Sequence, residues 1–198
     1  MTTAIETRYA GCRFRSRLEA RWARFFDHLS IRWQYEPEGL IVHDRMSLAT
    51  VDTWSYLPDF WLPELGMWAE VKGSWDVESA RRFLSSAAYL SEGGHDVLLL
   101  PTVPRVNGDK FPTLSVFHLE DDELSEHAWH PWCGADTAPY MNHMRVVATP
   151  GEMQCTPTDL LGHWRWRMRG RGTPPSVLAY VRAIESARSA RFEHGECG

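Results

Sequence analysis

Asp59, Glu70 and Lys72 are the residues of this chain whose types and spacing suit chemistry. Asp59 follows Pro58 in the run Tyr56-Leu57-Pro58-Asp59-Phe60-Trp61, and ten residues separate it from Glu70-Val71-Lys72. On a strand, alternate side chains share a face, so Glu70 and Lys72 point together while Ala69 and Val71 point away. Two carboxylates and a main-chain carbonyl on adjacent strands can hold a hard, oxygen-preferring ion such as Mg²⁺, which keeps several of its waters. Asp59 and Glu70 are the expected ligands, with the carbonyl of Val71 as the third. An ion so held makes hydroxide accessible near neutral pH, and an ammonium beside it can orient the nucleophile or stabilise a pentavalent phosphate. That set of groups suits phosphodiester hydrolysis.

The lysine itself sharpens the reading. Only two of the 198 residues are lysine, against nineteen arginines. Lys72 therefore keeps an ammonium, in a segment that reads as a half-buried strand, where an unpaired charge is expensive. Arginine would bring a broad planar fork that never loses its proton, whereas lysine brings a compact charge that can be tuned beside carboxylates. The plainer alternative is an exposed cross-strand ion pair between Glu70 and Lys72, with Asp59 starting a turn after its proline.

The elements that must position these residues follow from periodicity. Leu18, Trp22, Phe25 or Phe26 and Leu29 recur at helical spacing, which predicts an amphipathic helix from Ser16 to about Ser30 with Arg17, Arg21 and Arg24 on its polar side. Strands are expected over Ile31–Tyr35, Leu40–Val42, Thr50–Leu57 and Met67–Lys72, with Pro63-Glu64-Leu65-Gly66 as a hairpin connection that makes the motif strands antiparallel neighbours. A second helix spans about Val77–Glu92 and stops at Gly93-Gly94, followed by strands over His95–Pro101 and Leu114–Leu119. The order implies an α/β fold with a central mixed β-sheet flanked by helices. The core covers about 1–125, and 126–198 forms a C-terminal elaboration packed on it and ending in a helix at about Ser176–Phe192.

Composition bounds the class. A hydrophobic content of 43% with ten tryptophans and eight phenylalanines is incompatible with disorder and sufficient for one substantial core. The opening run Met1–Arg8 carries no apolar stretch, and no uncharged apolar run approaches the ~18 residues a membrane span needs, so the expectation is a cytoplasmic protein with no membrane partner. Cys12, Cys133, Cys155 and Cys197 are scattered and form no CxxC pair, which argues against a disulfide framework. His127, His130, Cys133, His143, Cys155 and His163 are zinc-type donors, but their gaps fit no standard finger or ribbon, so zinc is not expected. Net charge is −5, yet arginines cluster from Arg8 to Arg24 and again at Arg165, Arg167, Arg169 and Arg171. Such segregation permits a local basic footprint on an acidic protein.

The Pro58-Asp59, ten residues, Glu70-Val71-Lys72 pattern resembles the PD-(D/E)XK nuclease superfamily, and the order of elements around it is similar to that superfamily's restriction-endonuclease-like core. The first helix, the motif strands and the phrase Tyr35-Glu36-Pro37-Glu38 resemble small nucleases of phages and mobile elements. Archaeal Holliday-junction resolvases and the DNA-cleaving subunit of heteromeric transposases place a glutamate on the first core helix, and Glu19 occupies that slot here. The resemblance covers roughly the first half of the chain. It implies catalytic roles for Asp59, Glu70, Lys72 and Glu19, metal ligation by Asp59, Glu70, the Val71 carbonyl and Glu19, and Mg²⁺ or Mn²⁺ as cofactor. It further implies a DNA endonuclease, structure-selective in its action, that leaves 5′-phosphate and 3′-hydroxyl ends.

Alternatives stay open at this stage. Glu19 could instead be a solvated partner of Arg15 or Arg21, worth ~0.3–0.5 kcal/mol. Exonucleases of the superfamily usually add a glutamine and, four residues later, a tyrosine on the helix after the motif; here Ser85 and Tyr89 have that spacing, which weakens an exonuclease assignment. A non-catalytic nucleic-acid-binding or assembly module is a third reading, and a tryptophan-rich ligand binder a fourth. Arg13, Arg15, Arg17 and Arg21 are the preferred phosphate contacts through their proximity to Glu19, and Arg165, Arg167 and Arg169 with Trp164 and Trp166 could form a stacking platform. A two-fold symmetric junction substrate would call for a homodimer or a partner subunit, a single end would not.

Overall fold

The computed structural model describes residues 5–44, 52–106, 114–120, 123–129 and 177–192. The chain enters through a hairpin of β1 (Thr7–Tyr9) and β2 (Cys12–Phe14), turned at Ala10 and Gly11, both of which have positive φ. That pair of left-handed residues is what a two-residue turn between right-twisted strands requires. Helix α1 (Arg17–His28) follows, started by Ser16, whose hydroxyl accepts the Glu19 N–H at 3.2 Å. Its stripe of Ala20, Trp22, Ala23, Phe25 and Phe26 is fully buried. The helix stops where Leu29 turns its N–H back to Phe25 and Phe26 and Ser30 adopts a left-handed φ of 57°.

The main sheet has six strands in the order β10-β9-β8-β7-β6-β3. These are β3 (Gln34–Tyr35), β6 (Phe60–Leu62), β7 (Met67–Val71), β8 (Asp96–Leu100), β9 (Leu114–Glu120) and β10 (Glu123–Trp129). Every neighbouring pair is antiparallel except β7 and β8, which run parallel because α2 (Val77–Glu92) carries the chain across between them. The sheet is mixed, and the architecture is α/β with three helices among the described residues.

Alternation along the central strands divides the core into two layers. Phe60, Leu62, Met67, Ala69, Leu98 and Leu100 face α1 and α3 (Val177–Ser189), meeting Trp22, Phe25, Phe26, Tyr180 and Ile184. Trp68, Val97, Leu99 and Phe117 face the other way, against Phe83, Ala87 and Leu90 of α2. Each strand residue thus chooses its layer by parity, the two-residue period of the pleat.

Several expectations change in detail. The strand expected over Ile31–Tyr35 is only two residues long, because Ile31 still closes the end of α1 through its N–H to Phe26. Strands β4 (Leu40–His43) and β5 (Thr53–Tyr56) do not join the main sheet but pair with each other as a separate ribbon. Strand β10 was not anticipated; its seven residues carry four charged or polar side chains and little apolar alternation, yet they pair along the whole length of β9. The C-terminal helix packs on α1 through Tyr180, Ala183, Ile184 and Ala187, all fully buried. Among the described residues no helix is long and apolar enough to cross a membrane.

Candidate functional site

The hairpin of β6 and β7 is registered by Phe60 opposite Ala69 and Leu62 opposite Met67, so one further step in the same register sets Asp59 against Glu70. Parity then turns Asp59 and Glu70 away from the α1 layer that receives Phe60 and Ala69. The Val71 N–H donates to Asp59 Oδ2 at 2.7 Å, which ties the acid before β6 to the end of β7. Lys72 is held by its backbone, whose N–H continues the parallel ladder to the Leu100 carbonyl at 2.9 Å. Its ammonium lies 2.6 Å from Glu70 Oε1, confirming that residues 70 and 72 share a face. Just beyond, Gly73 passes α1 so closely that a Cβ there would lie 3.3 Å from Leu18 Cδ2, bringing the end of the motif strand against the start of the helix that carries Glu19.

Burial separates this cluster from a surface ion pair. Asp59, Glu70 and Glu19 are 4%, 5% and 7% exposed, whereas their cations, Lys72 and Arg15, have side chains 27% and 57% exposed. The acids are the interior members and the bases approach from outside. Burial, the facing Glu70 and then Glu19 push the Asp59 carboxyl up to about 8, against the opposing pull of the Val71 N–H and of Arg15.

Glu19 is not a solvated helix partner. Its Oε2 accepts from the Tyr35 hydroxyl at 2.6 Å and from the Arg15 N–H at 3.0 Å, and its Oε1 accepts from the Ser16 hydroxyl at 2.7 Å. The arrangement resembles a capping box displaced by one residue, since the carboxylate takes the N–H of the residue before the cap. Glu19 therefore both starts α1 and contributes negative potential to Asp59.

Three participants were given no role in the motif reading, although Tyr35 and Glu36 stood in the phrase Tyr35-Glu36-Pro37-Glu38. Tyr56 on β5 donates its hydroxyl to Glu70 Oε2 at 2.8 Å, and burial followed by the adjacent Glu70 raises its phenol well above the ordinary value. Tyr35 is raised in the same direction by burial and its bond to Glu19. Glu36 adopts a left-handed φ of 45°, held by its N–H to the Asp59 carbonyl at 3.0 Å, and its carboxylate pairs with Arg15. A non-glycine residue in this region stores strain and marks a position that its surroundings over-determine. The spacing Tyr56-Leu57-Pro58-Asp59 was the available hint for Tyr56, because it puts a hydroxyl three residues before the acid.

The predicted phosphate contacts divide. Arg15 enters the site, with Nη2 2.8 Å from Asp59 Oδ1. Arg13 pairs with Glu6 on the exposed N-terminal hairpin. Arg17 and Arg21 lie half-buried along α1, and Arg24 donates to Ser186 of α3 at 2.9 Å. Arg165, Arg167 and Arg169 lie outside the described residues, as do Trp164, Trp166, His130, Cys133, His143, Cys155 and His163. On α2, Ser85 is fully buried and donates to Asp44 Oδ1 at 3.0 Å, so it serves the junction between α2 and the β4–β5 ribbon.

The donors suit a small hard divalent cation. They are buried carboxylate oxygens, and that burial, with the repulsion of Glu70 second, raises Asp59 far above its ordinary range. Among the described residues no three histidine, cysteine, aspartate or glutamate side chains surround a common point, so the fit is to an ion held by one or two carboxylates and completed by water. Comparisons with protein-family models, with curated proteins and with solved structures found no match to this chain.

Proposed function

We propose that this chain is a metal-dependent DNA phosphodiesterase, an endonuclease built on a restriction-endonuclease-like core of the PD-(D/E)XK type. The observation that carries the proposal is the convergence of Asp59, Glu70 and Lys72 at one end of adjacent strands, with both acids inside and the ammonium 2.6 Å from Glu70. Helix α1, the β6–β7 hairpin, the α2 crossover and parallel β8 have the order that such a core uses.

In this reading Asp59 and Glu70, with the Val71 carbonyl, hold Mg²⁺ or Mn²⁺, and Glu19 adds negative potential from the helix start. The bound ion supplies Lewis-acid polarisation of the phosphate and a more acidic water. Lys72 orients the attacking oxygen and stabilises charge developing on the phosphorus oxygens. Glu70 and Tyr56 fix the direction from which that ammonium acts. Hydrolysis leaves 5′-phosphate and 3′-hydroxyl ends.

The test is a cleavage panel of supercoiled plasmid, linear duplex, single strand, flap and four-way junction, each with Mg²⁺, Mn²⁺ or EDTA. Cutting that requires metal and disappears in Asp59→Ala and Lys72→Ala supports the reading, and the preferred substrate distinguishes junction-cleaving from end-directed action. Binding to these DNAs without cutting in either metal would transfer the assignment to a non-catalytic nucleic-acid module.

A further inference from the structure

Arg15 sits where the site opens to solvent. Its backbone is fixed, since its N–H is shared by Glu19 Oε2 at 3.0 Å and the Tyr35 hydroxyl oxygen at 3.1 Å. Its side chain is 57% exposed, while the two carboxylates it reaches are 5% and 21% exposed. The guanidinium therefore extends inward from the surface, bonding Asp59 Oδ1 at 2.8 Å and pairing with Glu36.

The oxygen that Arg15 covers is the one that matters. Asp59 Oδ2 already accepts the Val71 N–H at 2.7 Å, and Oδ1, the oxygen that Arg15 covers, is the one turned toward the solvent-facing cation, where an entering ion meets the carboxylate. A guanidinium and a divalent ion compete for it, because two cations brought to contact distance on one oxygen repel each other. Glu36 also holds the guanidinium, through Nε, its own backbone fixed in the left-handed region by the bond to the Asp59 carbonyl.

We infer that Arg15 is a two-position positioning residue: it covers Asp59 Oδ1 in the metal-free protein and, once displaced by the cation, pivots about its fixed backbone to grip a phosphate of the nucleic acid. The inference rests on the proposed metal-dependent nuclease reading and adds to it an order of events. The planar fork suits bidentate phosphate contact, and the tethered backbone confines the search to side-chain rotation. Metal and nucleic acid then reinforce each other's binding through one side chain, and that coupling is reciprocal.

The experiment measures binding rather than turnover. Mn²⁺ affinity of the full chain is read by electron paramagnetic resonance without nucleic acid, and affinity for a fluorescent duplex oligonucleotide is read by anisotropy with and without Ca²⁺. Arg15→Gln is expected to bind Mn²⁺ about five- to tenfold more tightly than wild type, a size typical of such coupling. The same variant should lose the gain in duplex affinity that Ca²⁺ gives the wild type, and its salt slope should fall by about 1. Arg15→Lys, which keeps charge without the fork, should fall between them in Mn²⁺ affinity and recover little of the duplex binding. Unchanged or weaker Mn²⁺ binding in both variants, with wild-type binding still abolished by Asp59→Asn, overturns the exchange and leaves the metal site standing. Mn²⁺ binding that is absent from the wild type, or indifferent to Asp59→Asn, overturns the metal site and the exchange together.

Discussion

The Tyr56 hydroxyl reaches Glu70 Oε2 at 2.8 Å from a strand that does not pair with the sheet carrying Glu70. Strand β5 belongs to the separate β4–β5 ribbon, so this contact fastens the ribbon to the site. Tyr56→Phe keeps the ring and removes one donor from a buried carboxylate. It should cost about 1–3 kcal/mol in denaturant unfolding, the range for losing a hydrogen bond to a charged group. An unchanged unfolding midpoint would show that the ribbon is held by its other contacts, including those of Asp44 with Ser85 and Arg81, without help from this bond.

Lys72 should be irreplaceable by arginine. Its ammonium is a compact point 2.6 Å from Glu70 Oε1, on a side chain that is 27% exposed. Lys72→Arg retains the charge but cannot place it at the same point, and a cleavage rate reduced by at least ~100-fold is expected, within the usual span for a positioned catalytic group. Arginine activity within a few-fold of wild type would reduce the role of Lys72 to general neutralisation.

Asp59 sets a stability dependence on pH with a definite sign. Its carboxyl is pushed up from an ordinary value of 3.8 to about 8, chiefly by burial, then by Glu70. A raised folded pKa means that the native state holds the proton more firmly than the unfolded chain. The contribution is therefore fully present below about pH 4 and is lost as pH rises through 8. Asp59→Asn cannot titrate, so the stability difference between variant and wild type should move in the variant's favour from pH 4 to pH 8.5, on the order of 2–5 kcal/mol. A difference independent of pH across that window would contradict the assignment.

The same carboxyl predicts proton release on metal binding. A cation needs the ionised form, so Mn²⁺ affinity should rise with pH up to about 8 and level off above it. Calorimetry in buffers of differing ionisation enthalpy reads the released proton directly; a value near zero at pH 6.5 would place the cation elsewhere.

Much of the site was legible because its geometry is local. Ten residues between Asp59 and Glu70, with Pro63–Gly66 in the middle, leave one short hairpin, and its register alone brings the two acids together. Glu19 was picked out through the resemblance, as an acid near the start of the first helix, and its serine cap came only with the structure. Tyr35, Glu36 and Tyr56 were not, since their roles depend on contacts between elements whose mutual placement no periodicity encodes. The left-handed backbone at Glu36 leaves no trace in residue type, as glycine or asparagine would. The β4–β5 ribbon alternates like any strand pair, and its docking on α2 shows only in contacts between elements: Asp44 with Ser85 and Arg81, Trp54 under Arg81 and Arg82, and Leu40 and Tyr56 against the layer of Phe83. Where β10 is concerned, charge along the strand concealed an edge that pairs through its backbone with the whole of β9.

The parallel pairing of β7 with β8 also imposes a sequence of assembly. The β6–β7 hairpin closes over a four-residue connection, a contact that costs little chain entropy, so Asp59 and Glu70 meet at an early and inexpensive stage of folding. Lys72 is anchored to Leu100, a contact that must close the much longer loop containing α2 and so costs more chain entropy. Two facing carboxylates thus await their base on the folding pathway, and a divalent ion present during folding would favour the hairpin before the core has closed. Refolding of this protein should accelerate with Mg²⁺, and Asp59→Asn should remove the acceleration.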